Sequence, residues 1–120
     1  MSWIADKLAK IISHDGPVIT TRAADSSVFQ PNANKASFCS YTIQQVAAHG
    51  NDGTVKLLSD AVNPPTTERD QCRLAVTDDA AGVTICKTLR YIVPAGHYVK
   101  LVAAGTGTPT ITQQFETPLS

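Results

Sequence analysis

From residue 36 onward the chain alternates apolar and polar residues, and turn-forming residues interrupt the alternation at short intervals. Cys39, Tyr41 and Ile43 alternate with Ser40, Thr42 and Gln44, and Val55 and Leu57 with Thr54 and Lys56. Cys72, Leu74 and Val76 share one parity against Arg73, Ala75 and Thr77. Val83, Ile85, Leu89, Tyr91 and Val93 oppose Thr84, Cys86, Thr88 and Arg90, and Val99, Leu101 and Ala103 oppose Tyr98, Lys100 and Val102. Ile111 and Phe115 form a last apolar face beside Thr110, Thr112, Gln114 and Glu116. Successive side chains of a strand point to opposite faces, so each run makes a strand with one core face and one solvent face. The runs predict six or seven short strands, and no helical period follows residue 14. The pattern therefore specifies an all-β fold: an antiparallel β-sandwich, jelly-roll-like, behind a short N-terminal helix and extended arm.

One run changes phase. After Ile43 the polar Gln45 takes an apolar position and Val46 falls on the other parity, which predicts a bulge near Gln44 and Gln45. The connections are legible too: "HGNDG" over 49–53 and "DDAAG" over 78–82 are turn signals, and "NPPTTERDQ" over 63–71 reads as a long polar loop.

The first 35 residues differ. Residues 2–13 predict a helix, with Ser2 as cap, Lys10 near its end and Gly16-Pro17 to stop it. Met1, Ile4, Leu8 and Ile11 recur at spacings of 3, 4 and 3, a short a/d seam that Trp3 and Ile12 widen. A helix of about 12 residues is marginal alone in water, so this one needs a surface. Its own body, sister copies and a separate partner all satisfy that need. Residues 15–35 carry two prolines and few large apolar side chains and read as an extended arm, with a short edge strand over 18–21. The chain thus divides into an N-terminal helix and anchoring arm, 1–35, and a sandwich domain, 36–120. Trp3, Ile4, Leu8, Ile11 and Ile12 are the candidate anchor.

Ten basic residues balance ten acidic ones, and they are scattered. No field drives the chain toward nucleic acid or anionic lipid. No apolar run approaches the ~18 residues of a membrane span, and "MSWIADKLAKII" lacks the features of a signal peptide. Cytosolic synthesis is the expectation. With that, an odd count of three cysteines reads as reduced thiols. Parity points Cys39 and Cys72 inward and Cys86 outward.

No motif carries chemistry. The histidines, His14, His49 and His97, are far apart and lack metal-ligand spacing. "GTGTP" over 105–109 lacks the Lys-Ser/Thr of a phosphate loop, and its glycines read as backbone permissiveness in a tight connection. His97, Tyr98 and Lys100 sit within four residues of one another, but parity sends His97 with Val99 and Leu101 and the other two to the opposite face. No catalytic residue, metal site or cofactor is expected, and the chain does not read as an enzyme.

Val93-Pro94-Ala95-Gly96, the alternating strand over 98–102, "GTGTPT" over 105–110 and Glu116 resemble the C-terminal portion of small β-sandwich virion proteins of tailed bacteriophages. Head decoration proteins, head fibres and tail-tip modules share that pattern. The resemblance implies a homotrimer with one sandwich per subunit and an N-terminal arm or helix attached to the capsid or tail. It leads to the expectation of a capsid decoration or cement protein on the outside of a phage head. Its partners would be itself and a major capsid protein or other virion component, and it would be located in the virion after assembly in the bacterial host cytoplasm. A tail-tip or fibre module binding a receptor through loops 49–53, 63–71 or 105–109 is the alternative, and a small-ligand protein or enzyme is the third.

Overall fold

In a computed structural model, which describes residues 22–47, 51–75 and 83–119, the alternating runs become strands. They are β1 (Asp25–Phe29), β2 (Ser37–Ala47), β3 (Asp52–Asp60), β4 (Glu68–Ala75), β5 (Val83–Val93), β6 (Tyr98–Gly105) and β7 (Thr110–Pro118). No helix occurs among the described residues. The helix expected over 2–13, its anchor residues Trp3, Ile4, Leu8, Ile11 and Ile12, and the edge strand expected over 18–21 lie outside them. So do His14, His49, Asp78 and Asp79.

The strands form two antiparallel sheets, in the orders β1-β6-β3-β4 and β5-β2-β7. Only the β3–β4 connection stays within a sheet; every other step between consecutive strands changes sheet. The inward parity of both sheets meets in one core. Val55, Leu57, Cys72, Leu74, Val99 and Leu101 come from the four-stranded sheet, and Cys39, Tyr41, Ile43, Leu89 and Val93 from the three-stranded one. All are buried, and each large side chain taken fully from water contributes on the order of 1.5–3 kcal/mol. The cysteine parities hold: Cys39 and Cys72 are buried, Cys86 is exposed, and all three are free thiols.

Four expectations need correction. The phase change in β2 is not a bulge at Gln44 and Gln45, because the β2–β5 register runs without a break from Ser37↔Val93 to Ala47↔Val83. Gln45 instead stays on the core parity and is buried, its Nε2 donating to the Leu74 carbonyl at 3.3 Å. The irregularity lies on β7, where Thr42 pairs with Gln113 and Ile43 with Ile111, so Thr112 is the extra residue. A bulge reverses the phase of the residues beyond it. After Thr112 the inward residues are therefore Gln114 and Glu116, while Phe115 turns outward and is 36% exposed. The expected apolar face of Ile111 and Phe115 is split between the two sides.

The other two corrections concern loops. Part of the arm over 15–35 is a strand: β1 lies along β6, with a register shift between Asp25 and Val28. The loop over 63–71 is shorter than read, because Glu68 already begins β4. Pro94-Ala95-Gly96 forms a turn. Gly96 adopts φ +77°, the His97 amide donates to the Pro94 carbonyl at 3.1 Å, and the Gly96 amide donates to Asn32 O at 2.9 Å. In the "GTGTP" loop, Gly105 has φ +86°, and a Cβ there would collide with the Asp52 carbonyl. Backbone approach accounts for that glycine.

Candidate functional site at the root of the N-terminal segment

The densest polar constellation among the described residues is buried and sits where the described chain begins. The β7 bulge turns Glu116 into the core, where it is 2% exposed. A carboxylate taken from water requires strong donors. Arg22 supplies a fork, with Nε to Oε2 at 2.9 Å and one terminal nitrogen to Oε1 at 2.9 Å. The Tyr41 hydroxyl adds a third donor, to Oε2 at 2.7 Å. Two parallel guanidinium bonds fix direction as well as distance.

Arg22 is gripped at two further points. Its backbone amide donates to Gln114 Oε1 at 2.6 Å, and its guanidinium lies 4.1 Å from the centroid of the Phe29 ring. Phe29 in turn meets Tyr41 edge-on, with centroids 6.0 Å apart and planes at 75°. Arg22 therefore ties β7 of one sheet to β1 of the other.

The titration chemistry agrees with a holding role. The hydrogen bonds to Glu116 raise the Arg22 guanidinium above its ordinary value, outweighing the lowering by burial. Burial first, and neighbouring negative charge second, raise the Tyr41 phenol well above its usual range, so it stays a donor. Burial pushes the Cys39 thiol up to about 12 and raises Cys72 also, which leaves both as unreactive thiols near neutral pH. The cluster can hold charge and direction. A shallow cleft of about 200 Å³ beside it is lined by Arg22, Ala23, Asp25, Ser27, Val28 and Phe29.

Two features stand out on the surface. Phe38 and Phe115 lie with ring centroids 6.4 Å apart on the outer face of the three-stranded sheet, and Ile92, 54% exposed, is paired with Phe38. At one end of the four-stranded sheet, Asp60 accepts from the amides of Thr66 and Thr67 at 2.6 and 2.8 Å and from Thr66 Oγ1 at 3.3 Å. These bonds tie down a loop that presents Val62, 69% exposed.

The stretch around His97 does not converge. His97 is half-buried at the turn, Val99 and Leu101 point into the core, and Tyr98 and Lys100 leave on the other side of β6. Among the described residues no group of three His, Cys, Asp or Glu side chains could hold a metal ion. Arg22, Tyr41 and Glu116 were not recognisable as a cluster beforehand. The only hint was a glutamate in a strand whose polar positions otherwise carry threonine and glutamine. Comparison with protein-family models, curated proteins and solved structures finds no match to this chain.

Proposed function

We propose that this protein is a structural component of a phage virion: a capsid decoration or cement protein that acts as a homotrimer by adhesion. The observation that carries the reading is the clamp at Arg22. A chain that enters a two-sheet body through a bidentate, buried ion pair can transmit load from its N-terminal segment to that body. The residues ahead of the clamp include Trp3, Ile4, Leu8, Ile11 and Ile12. Each would contribute on the order of 1.5–3 kcal/mol if fully buried against a capsid. Symmetric copies on a shell multiply such contacts through effective concentration.

The strand order supports the finer fold reading. The pairs β3·β4, β2·β5 and β1·β6 nest one outside the next and alternate between sheets, as in a rolled hairpin, the jelly-roll plan. The resemblance of residues 93–116 to phage virion modules points the same way.

The test is co-sedimentation with expanded heads of the phage that carries the gene. The full chain should bind, and a variant lacking residues 1–16 should bind at least ~100-fold more weakly, the loss of about two such side chains. Unchanged binding by the shortened chain, or no binding by the full one, would refute the proposal. The deletion stops short of Arg22 because removing 1–35 would also take away β1 and the clamp.

One observation favours the tail-tip or fibre alternative. The loop after β3 is held rigidly by Asp60 and offers Val62 to solvent, as a receptor-contacting loop would. That reading requires the isolated protein to adsorb to host cells, with Val62→Asp abolishing adsorption.

A further inference from the structure

The outer face of the three-stranded sheet is a grid whose rows follow the strand register. One row is Ile92, Phe38 and Thr117, across β5, β2 and β7. The next is Arg90, Ser40 and Phe115. The two rows after that carry only threonine, glutamine and cysteine. An antiparallel sheet that meets water on its second face carries polar residues there. The first two rows depart from that rule. Ile92 and Phe115 are exposed, and the Phe38 and Phe115 rings lie 6.4 Å apart beside Ser40, which is only 5% exposed. A contiguous apolar patch on a solvent face marks a contact surface.

Charge decides what the patch accepts. Among the described residues this face carries no carboxylate, and Arg90 is its one charge. A second copy turned about an axis across the strands keeps the columns and reverses the rows. Apolar rows then lie on polar ones, or Arg90 lies on Arg90. A copy turned about an axis parallel to the strands keeps the rows and exchanges the columns. The β5 column of one copy then meets the β7 column of the next. Arg90 lies against the ring of Phe115 in the neighbouring copy, a cation–π contact. Ile92 meets Phe115 and Thr117 of that copy, and the Phe38 side chains meet near the axis. No like charges oppose each other, and no carboxylate is buried.

We propose that sister copies of this chain meet on this face: three copies close around an axis parallel to the strands, β5 of each against β7 of the next. Two different columns meet at each contact, the heterologous kind that closes a threefold ring. The inference rests on the homotrimer of the proposed function and names its contact surface.

The test is a disulfide cross-link, with sedimentation beside it. Arg90→Cys and Phe115→Cys are placed together in a full-length Cys86→Ser chain, which removes the exposed natural thiol and keeps Phe38 and Ile92. Within one copy the two positions are two strands apart, roughly 10 Å, beyond the ~7 Å that a disulfide spans. Mild oxidation should therefore give a covalent trimer on a denaturing gel, and either cysteine alone should leave monomers. Monomers from the double variant would overturn the surface. Products that stop at dimers, or run past trimers into a ladder, would overturn the threefold closure. In sedimentation the parent chain should run at three times its chain mass. Ile92→Asp, at a side chain 54% exposed, should weaken association at least ~30-fold and leave the β-sheet circular dichroism unchanged. A monomeric parent would overturn this inference and the trimer with it, whereas attachment to heads is read separately by co-sedimentation. A trimer indifferent to Ile92→Asp would overturn the surface alone.

Discussion

The two sheets build their halves of one core from different materials. The four-stranded sheet contributes Val55, Leu57, Leu74, Val99 and Leu101, with Cys72 and the buried Ser59 as its polar members. The three-stranded sheet contributes Ile43, Leu89 and Val93, but also Tyr41, Gln45 and Glu116, with Arg22 reaching in from the edge. The first half is held by non-directional burial. The second adds a polar network in which Arg22 and Tyr41 both donate to the Glu116 carboxylate. An apolar half degrades gradually as atoms are removed, in proportion to the cavity left. A polar half fails abruptly when one partner is lost, because the group left behind keeps its desolvation cost.

The largest effect is expected in the apolar half. Leu57 is fully buried on the central strand β3, and Leu57→Ala should cost roughly 3–5 kcal/mol in urea unfolding. A loss under ~1 kcal/mol would mean that the two sheets do not share a close-packed core. Arg22→Ala comes next, at roughly 2–4 kcal/mol, somewhat below a fully buried pair because Arg22 keeps partial contact with water. The sharper experiment is the double replacement Arg22→Met with Glu116→Leu. It removes both charges and should regain most of the loss, since an apolar pair of similar volume carries no desolvation cost. The buried Tyr41 hydroxyl also donates to Glu116, so adding Tyr41→Phe should recover what the double variant does not; if the triple variant is as unstable as Arg22→Ala, polar satisfaction is not what holds this half, and the contrast between the sheets fails. Tyr41→Phe deletes one hydroxyl that donates to a carboxylate and should cost roughly 1–2 kcal/mol.

The same contrast decides what could be read beforehand. Three strands of the four-stranded sheet, β3, β4 and β6, are legible because alternation is the whole of their logic: parity assigns Val55, Leu57, Cys72, Leu74, Val99 and Leu101 inward, and all are buried. The orientations of the thiols follow from the same rule. The three-stranded sheet was misread where a single extra residue resets the phase. Thr112 carries no mark that distinguishes it from Thr110 or Gln113, so Phe115 was placed inward and Glu116 outward, the reverse of their positions. A bulge on an edge strand is fixed by its pairing to β2, and pairing is non-local. Gln45 misled for a related reason. A buried glutamine breaks the apolar pattern without breaking the backbone register. The clamp needed Arg22 and Glu116, 94 residues apart, and no local signal joins them. β1 was hidden by its composition, with Asp25, Ser26 and Ser27 ahead of Val28 and Phe29.

The smallest effect separates the two carboxylates that define the contrast. Glu116 lies inside the three-stranded half, whereas the Asp60 carboxylate stands at the rim of the four-stranded one, where hydrogen bonds from Thr67 and Thr66 hold its pKa down to about 2. The unfolded chain takes up that proton near the ordinary aspartate value of 3.8. Between pH 4 and 2 the unfolded state therefore binds more protons than the folded one, and stability falls as the pH falls. The contribution of Asp60 is fully present above about pH 4 and is lost as the pH drops through about 2. Asp60→Ala removes it at every pH. The variant should be less stable than the parent at pH 7, and the gap should narrow steadily between pH 4 and pH 2 in parallel urea titrations. Asp52, lowered by its hydrogen bonds to Arg73, titrates in both chains and cancels in the difference. A gap that stays constant down to pH 2 would mean that Asp60 holds its loop through packing rather than charge. The polar logic assigned to the three-stranded half would then be confined to it.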